Sequence, residues 1–304
     1  MNHMRMLLHN TILHAESWNV AWRKAAPGAI LSDQTTPFTI IENPLRYWAA
    51  DPFVVEKDGK TYIFAELYDY IRCRGILGVC ELIPGQKCRW EPIIIEPFHL
   101  SYPCILEHGG KTYLMPESQE DRSLRLYEAV EFPRKWKLVK KLRADVSFAD
   151  TTPVSDDGLA LTHQVADSRH PQLLLVDLTG SRPDVPAENQ ELLRSRPAGK
   201  LFRLDGRLIR PVQHSWDFDR NYGKSLIFSA VTVEGTLCRE EPITEITPQE
   251  LQYSRPIFLD GLHTYNASTH FEVIDIKTLR FNLLNLLFRV LRKVTHLSWK
   301  AGNL

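Results

Sequence analysis

The stretch "EKDGKTYIFAE" at residues 56–66 returns at residues 107–117 as "EHGGKTYLMPE". Each copy sets a two-residue turn, Asp-Gly or Gly-Gly, between runs rich in β-branched and aromatic residues. This pattern predicts a tight β-hairpin, because a type I′ turn needs a positive φ at both central residues. Each copy also ends on a glutamate, so a polar position at the end of the second strand is repeated together with the hairpin.

The same turn recurs further along the chain, in "PVSDDGLALTH" at residues 153–163 and "LFRLDGRLIRPVQ" at residues 201–213. The steps between the turn glycines are 51, 48 and 48 residues, taken from Gly59, Gly110, Gly158 and Gly206. A degenerate fifth copy, "GLHTYNASTHFEVIDIK", occupies residues 261–277. Regular spacing of this length indicates a repeat architecture.

Further strand-like runs follow the clear hairpins, such as "GILGVCEL" at residues 75–82 and "RWEPIIIE" at residues 89–96. Four strands in each unit of about fifty residues is the pattern of a propeller blade. The sequence therefore predicts an all-β fold, a five-bladed β-propeller over residues 18–277. We expect the opening "SWNVAWRKA" at residues 17–25 to pair with the last blade and close the ring. A β-sandwich is the alternative, but it does not explain four evenly spaced hairpins.

The tail, residues 278–304, differs from the rest of the chain. Its apolar residues follow helical spacing and are separated by arginines and lysines, which predicts a basic amphipathic C-terminal helix. We expect this helix to pack on the side of the propeller. Weak contact with a membrane surface is the alternative.

Composition excludes several functional classes. The chain has 37 Lys plus Arg and 37 Asp plus Glu, so no overall charge attracts nucleic acid. Its five cysteines include no CxxC pair, which fits a reducing compartment. The first residues contain no apolar run of signal-peptide length, and no run is long enough to span a membrane. We expect a cytoplasmic protein with no cofactor.

The repeat also identifies candidate site residues. In a hairpin, the start of the first strand and the end of the second lie at the same edge of the sheet. If each hairpin is the innermost of its blade, this edge surrounds the mouth of the central channel. The polar residues predicted at the mouth are Asp51, Glu66, Tyr102, Glu117, Asp150, His163, Arg210, Gln213, His214, His263 and Thr264.

Carboxylates confined around a channel raise each other's pKa values, so one can act as a proton donor beside another that acts as a base. Glycoside cleavage needs such a division of roles. His163 or His263 with Asp51 or Asp150 could instead ligate a metal; we expect hydrogen-bonded structural histidines and no metal. The polar, aromatic stretch at residues 214–223, which contains Tyr222, is expected to form a loop over the mouth.

Four motifs carry a family resemblance: "ADPFVVEKDGKTYIFAE" (50–66), "YPCILEHGGKTYLMPES" (102–118), "FADTTPV" (148–154) and "RPVQ…NYG…GLHT" (210–213, 221–223 and 261–264). They resemble the five-bladed propellers of glycoside hydrolase family 43. The resemblance is closer to the N-terminal propeller of plant glucosamine inositolphosphorylceramide transferases and its bacterial relatives. In the hydrolases it implies an aspartate base in the first blade, which Asp51 matches. Tyr102 and Asp150 stand where those enzymes carry a pKa-tuning aspartate and a glutamate acid.

Two functional hypotheses follow. In the first, the propeller acts on a glycan or activated sugar, with Asp51 as base, Glu117 as acid and Asp150 tuning both. Substrate would be held by the other mouth residues, Glu66, Tyr102, His163, Arg210, Gln213, His214, Tyr222 and His263. In the second, the chain is a noncatalytic sugar-binding or scaffold module that serves a glycosyltransferase in polysaccharide or glycolipid synthesis.

Overall fold

The computed structural model describes residues 14–155, 158–165, 172–181, 183–186, 196–214, 223–234 and 237–281. Within these ranges the chain forms five four-stranded antiparallel sheets, arranged as the predicted five-bladed propeller. The predicted helix falls largely outside them: the last strand continues to Phe281, and residues 282–304 lie outside the described residues. No helix in the described part of the chain is long and apolar enough to cross a membrane.

The strands follow the chain in order. The chain opens with β1 (His14–Lys24) and β2 (Thr39–Ile40). Blade I contains β3 (Tyr47–Lys57), β4 (Lys60–Asp69), β5 (Arg74–Glu81) and β6 (Glu91–Ile94). Blade II contains β7 (Ser101–His108), β8 (Lys111–Glu117), β9 (Ser123–Glu131) and β10 (Lys135–Ala144).

Blade III contains β11 (Phe148–Pro153), β12 (Leu159–Gln164), β13 (Gln172–Asp177) and β14 (Val185–Pro186). Blade IV contains β15 (Phe202–Leu204), β16 (Arg207–His214), β17 (Ser225–Glu234) and β18 (Leu237–Ile246). The chain ends with β19 (Tyr265–Ala267) and β20 (Phe271–Phe281). In the described part of the chain, strands are also joined by short 3₁₀ turns at Ala29–Leu31, Gln119–Asp121 and Pro248–Glu250.

The fifth blade closes the ring, as the sequence predicts. Its strand order is β19-β20-β1-β2, so the first strand of the chain completes the last sheet. The pairing of β1 with β20 is eleven residues long, from His14 opposite Phe281 to Lys24 opposite Phe271. Because it joins the two ends of the described chain, this pairing holds the propeller shut without a disulfide.

Among the described residues the hydrophobic core forms five clusters, one at each contact between adjacent blades. Val20 and Ile63 belong to the cluster between blades V and I, and Phe64 and Leu114 to the one between I and II. Similar clusters join II to III, III to IV and IV to V. Each sheet thus buries both faces against its neighbours, which a single twisted sheet cannot do alone. The first strands of neighbouring blades, β19 with β3, β3 with β7 and β7 with β11, contact one another around the axis.

Candidate functional site

Three first strands carry the same irregularity at the mouth. The pairing shifts by a β-bulge between Ala50 and Phe53 in blade I, and at the matching place in blades II and III. The residues inside the bulges, Asp51, Tyr102 and Asp150, have φ values of 51°, 46° and 53°. Positive φ is uncommon for residues other than glycine, and strained conformations of this kind cluster at functional sites. The same bulge therefore occurs in three blades, and only the side chain at its positive-φ position differs.

The second strands add polar residues at one shared position. Glu66 pairs with Ala50, Glu117 with Ser101 and His163 with Ala149, in each case directly before the bulge. In blade IV the backbone N–H of Gln213 donates to the Arg196 carbonyl at 3.0 Å, which places Gln213 at the same level. Four adjacent blades thus direct a polar side chain from the second strand into the protein interior.

Asp275 on β20 is the corresponding residue of blade V, and the sequence analysis did not select it. Its Oδ1 accepts the backbone N–H groups of His263 and Thr264 at 3.1 and 2.9 Å. Its Oδ2 accepts the backbone N–H of Asp51 at 2.9 Å and lies 2.6 Å from His263 Nδ1. The buried Asp275 carboxylate therefore fixes the Asp51 bulge and orients the His263 ring. The sequence signal that could have identified Asp275 is an acidic residue among the apolar residues of "VIDIK" (273–277).

Asp51 lies at the centre of this network. Its Oδ1 accepts the Thr264 hydroxyl at 2.8 Å, and its Oδ2 accepts the backbone N–H of Tyr102 at 3.2 Å. His263 Nε2 lies 3.6 Å from the Asp51 carboxylate. Burial raises the pKa of Asp51 to about 6, although the His263 charge opposes that shift. Burial acts to lower the pKa of His263, but the charge of Asp275, the hydrogen bond with Asp275 and the charges of Asp51 and Asp150 together outweigh burial and raise that pKa.

Arg196 connects the other two predicted catalytic acids. Its Nε lies 2.7 Å from Asp150 Oδ2, and a terminal nitrogen lies 3.1 Å from Glu117 Oε2. Gln213 Nε2 also donates to Asp150 Oδ2, at 3.1 Å. Burial raises the pKa of Glu117 well above its ordinary value; Arg196 opposes the shift and Asp150 adds to it. The structure therefore brings Glu117 and Asp150 together, through an arginine that the sequence analysis did not select.

Glu66 is the least satisfied carboxylate of the group. It is 5% exposed, and its Oε1 accepts no hydrogen bond within the described part of the chain. A basic side chain beside it is His99, with Nε2 at 3.4 Å from Oε1, and burial lowers the pKa of His99. The Gly75 N–H donates to His99 Nδ1, so a neutral His99 carries its proton on Nε2, facing Glu66. Burial, then the charges of Asp51 and Glu117, raises the pKa of Glu66 well above its ordinary value.

Three predicted substrate-binding residues are fully buried. The Tyr102 ring packs edge-on against Phe53 in the core between blades I and II, and its hydroxyl lies 2.7 Å from Thr152 Oγ1. Arg210 forms a buried ion pair with Glu240 at 2.6 Å. Burial lowers the pKa of the third residue, His163, to about 3. These environments assign all three to the interior of the sheets.

The last two residues predicted to bind substrate, His214 and Tyr222, are not among those that the structure brings together at the mouth. His214 follows Gln213 on β16, and successive side chains on a strand point to opposite faces. Its Nδ1 lies 2.5 Å from Glu245 on the outermost strand of blade IV, so it faces away from the axis. Tyr222 lies outside the described residues.

The fit of a metal ion can be tested on Asp51, His263 and Asp275, whose donor atoms lie within 4.8 Å of one another. Both oxygens of Asp275 already accept N–H groups from the backbone, and His263 Nδ1 is held against Asp275. A metal ligand needs a lone pair directed at the ion, whereas here N–H donors occupy the acceptor positions. The three residues fit a hydrogen-bonded network better than a metal site.

Comparison with known proteins confirms the resemblance predicted from the sequence. Residues 14–161 match the family model described as "Glucosamine inositolphosphorylceramide transferase 1, N-terminal". The transferase of that name from Arabidopsis thaliana is 29% identical over 249 residues, which is 76% of this chain and 31% of the relative. The one from Oryza sativa subsp. indica is 29% identical over 194 residues, 59% of this chain and 25% of the relative. The chain therefore spans at most about a third of these curated relatives.

Solved structures share the fold. The α-L-arabinofuranosidase from Podospora anserina, solved with cellotriose, has a TM-score of 0.54 at 10% identity; the match covers 84% of this chain and 96% of the enzyme. A family 62 glycoside hydrolase solved with xylotriose has a TM-score of 0.55 at 10% identity, covering 89% and 99%. At this identity the likeness establishes the propeller fold alone.

Proposed function

We propose that the chain is a carbohydrate-recognition propeller that binds a sugar at the mouth of its central channel and serves a glycosyltransferase. Carboxylates from blades I, II, III and V meet there, and Glu117 and Arg196 keep 11% and 16% of their side chains exposed. Carboxylates and an arginine supply the acceptors and donors that sugar hydroxyls require. The similarity to transferases named for glucosamine and inositolphosphorylceramide supports a carbohydrate ligand.

One observation favours binding over hydrolysis. Asp150, which stands where the related hydrolases carry their acid, is held by Arg196 and Gln213 and has a side chain only 2% exposed. A general acid must hold a proton and release it to the leaving group. The Asp150 carboxylate is buried and held by Arg196 at 2.7 Å and by Gln213 at 3.1 Å, so a glycosidic oxygen cannot reach it. Asp150 therefore does not supply the acid that the related hydrolases carry in the third blade.

A second candidate function, glycoside cleavage or glycosyl transfer, is favoured by the pKa values of Asp51 and Glu117. The pKa of Glu117 lies well above its ordinary value, as an acid catalyst requires, and burial raises that of Asp51 to about 6. In this alternative Glu117 is the acid and Asp51 the base, as the sequence predicts. Both Asp51 oxygens already accept hydrogen bonds from Thr264 and Tyr102, which reduces its basicity.

Two assays on the same protein separate these functions. Turnover is measured on a panel of aryl glycosides and nucleotide sugars, and binding is measured by ligand-observed NMR on simple methyl glycosides and short oligosaccharides. We expect binding without turnover. We also expect Glu117→Gln to weaken binding by about tenfold, the scale of one lost charged hydrogen bond.

Glu107→Gln is the matched control, because Glu107 is half exposed at the opposite end of the blade II hairpin and pairs with Lys57. It should leave binding unchanged. Turnover by the wild-type protein that disappears in both Asp51→Asn and Glu117→Gln would replace the recognition function with the enzymatic one. Absence of binding to every sugar would contradict both.

The tail supports a separate proposal, that its basic amphipathic sequence brings the propeller to a partner or a membrane surface in the cytoplasm. Because β20 runs to Phe281, a truncation that keeps the ring intact begins at residue 282. We expect this truncation to reduce co-sedimentation with anionic liposomes at low salt. Equal sedimentation of both proteins would contradict membrane contact.

A further inference from the structure

The turn face of the propeller, which carries the hairpin turns and lies opposite the mouth, has a groove between blades II and III. The groove has a volume of about 1070 Å³. Blade II lines one side of it, from Ile105 on β7 to Leu142 on β10, and blade III lines the other with Pro153 and Leu178. We propose that this groove binds an extended segment of a partner protein that combines acidic and apolar side chains. The inference does not depend on the proposed sugar-binding function.

The apolar floor of the groove is the incompletely covered edge of the core between blades II and III. Four partly buried leucines pack on that core and also line the groove, namely Leu106, Leu126, Leu142 and Leu178. Within the described part of the chain, Phe148 is the only aromatic residue of this cluster, whereas several rings fill the cluster between blades I and II. Covering such leucines removes apolar surface from water, which is favourable. The groove therefore favours a ligand with apolar side chains.

The charges along the groove favour an acidic ligand. Its lining contains two glutamates, and both are paired with lysines outside the lining: Glu107 with Lys57 at 3.0 Å and Glu128 with Lys111 at 2.8 Å. The two lysines of the lining, Lys140 and Lys200, form no ion pair with a carboxylate of the described residues. Their positive charge is therefore unbalanced, and it attracts the carboxylates of a ligand.

These two lysines lie at opposite ends of the groove. Lys140 is on β10, the outermost strand of blade II, whereas the backbone N–H of Lys200 donates to Asn266 on β19, an innermost strand, at 2.8 Å. A four-stranded sheet is about 14 Å across, because neighbouring strands lie about 4.8 Å apart. An extended chain rises about 3.3 Å per residue, so about four residues span this distance. The expected segment therefore has two acidic residues about four positions apart, with apolar residues between them.

Two other kinds of ligand fit the groove less well. Pockets for small molecules typically enclose about 300–1,000 Å³, and this groove is larger. Addition of a fifth strand to blade II is opposed by the repeated register shifts in the pairing of β9 with β10. Such bulges twist an edge strand away from new partners. The segment is therefore expected to bind through its side chains, within the groove.

The probe is a phage-displayed library of random octapeptides, selected on the full chain. We expect enrichment of peptides in which two acidic residues flank apolar ones. By fluorescence anisotropy, the affinity of the best such peptide should fall about threefold in Lys140→Glu and at least about tenfold in Lys140→Glu/Lys200→Glu, because attraction becomes repulsion. The same peptide with lysines in place of its acids should bind the double variant more tightly than the wild type. Lys137→Glu, an exposed lysine of β10 outside the groove, is the matched control and should leave affinity unchanged.

The apolar contact has a separate test. Val139 lines the groove and is 43% exposed, whereas its neighbour Leu138 is 38% exposed and is not part of the lining. Val139→Ser should weaken binding of the selected peptide by about threefold, since less apolar surface is covered. Leu138→Ser should have no effect.

The contrary outcomes are distinct. Enrichment of no peptide, or only of peptides without acidic residues, would overturn the inference. Peptides that bind the double variant as tightly as the wild type would occupy another surface, with the same consequence. A concentration-dependent dimer in analytical ultracentrifugation that Val139→Ser abolishes would show that a second copy of the chain covers the groove, which also overturns the inference. Glu117→Gln should bind the peptide like the wild type, so the failure of sugar recognition and the failure of this inference are distinguishable.

Discussion

The two ends of the innermost hairpins use the same backbone conformation for different purposes. At the turn end, Asp58 and Gly59 have φ values of 53° and 73°, as a type I′ turn requires. At the mouth end, the bulged residues Asp51, Tyr102 and Asp150 have nearly the same φ values. The turn residues are exposed, whereas all three bulged residues are buried.

The difference shows where the fold maintains strain. At the turn, the residue types alone make the positive φ values tolerable, because glycine and aspartate adopt positive φ at low cost. At the mouth, other blades hold the bulges: the Asp51 N–H donates to Asp275, and the Tyr102 N–H donates to Asp51. A strained position persists only where its surroundings over-determine it. We therefore expect substitutions at the mouth to have large, pH-dependent effects and those at the turn to have small ones.

The largest effect is expected for Arg196→Met. Without the guanidinium, Asp150 and Glu117 are left as buried, unpaired acids, and breaking a buried ion pair in this way costs about 3–5 kcal/mol of unfolding free energy. Arg203→Met, an exposed arginine on β15 near the turn end, should change that free energy by less than about 0.5 kcal/mol. Urea denaturation of both variants near neutral pH provides the measurement. Equal, small losses would show that the mouth is no more sensitive than the turn.

Tyr102 tests whether the bulged ring serves packing or ligand binding. Tyr102→Ala should cost about 3–5 kcal/mol by removing a fully buried aromatic ring. Tyr102→Phe should cost only about 1 kcal/mol, for the lost hydrogen bond with Thr152. Sugar affinity measured on the folded Phe variant should equal that of the wild type. A marked drop in affinity would show that the Tyr102 hydroxyl contributes to sugar binding.

Glu66→Gln should stabilise the protein, but only at high pH. Because the pKa of Glu66 is raised, the folded state binds its proton more tightly than the unfolded state does. Stability from this group is therefore complete below the ordinary glutamate value of 4.5 and is lost as pH rises through the raised value. At about pH 8 we expect the variant to melt of the order of 2 °C above the wild type, and at about pH 4 to show no gain. Glu107→Gln should show neither effect, and a Glu66→Gln gain that is the same at both pH values would contradict the electrostatic explanation.

The smallest effect belongs to the turn. Gly59→Ala places a side chain at a φ of 73° in open space, with no atom within 4 Å of the added Cβ. The backbone conformation alone then sets the cost, which is about 1 kcal/mol. Thermal melting should detect the loss at every pH with the same size. A loss well above this, or one that varies with pH, would mean that the turn is coupled to the rest of the structure.

Most of the fold could be predicted from local sequence motifs. Four Asp-Gly or Gly-Gly turns at even spacing predicted the hairpins, and together with a degenerate fifth copy they predicted five blades. The opening "SWNVAWRKA" predicted that the first strand closes the ring. The bulges were not predictable in the same way, since nothing in "SYPC" or "FADT" marks a residue with positive φ. They depend on hydrogen bonds between blades, which have no signature in a single segment.

The site shows the same division. Glu66, Glu117, Asp51 and Asp150 were found because the repeat aligns them. Asp275 was missed because the fifth hairpin has lost its Asp-Gly turn and with it the register. Arg196 precedes β15 and lies outside the repeated sequence motif. It contacts Asp150 and Glu117 only in the tertiary structure. Arg210 was placed at the mouth by counting from the turn, although its charge is met by Glu240 within blade IV.

The most direct test of the central claim is a carboxyl ¹³C NMR titration of protein labelled at glutamate, with Glu66→Gln and Glu117→Gln used for assignment. If acids from several blades face one shared hollow, the signals of Glu66 and Glu117 will titrate well above the ordinary glutamate range, and each substitution will lower the other residue's pKa. Ordinary, independent titration of both signals would show that these carboxylates are separately solvated, and the binding site described above would not exist.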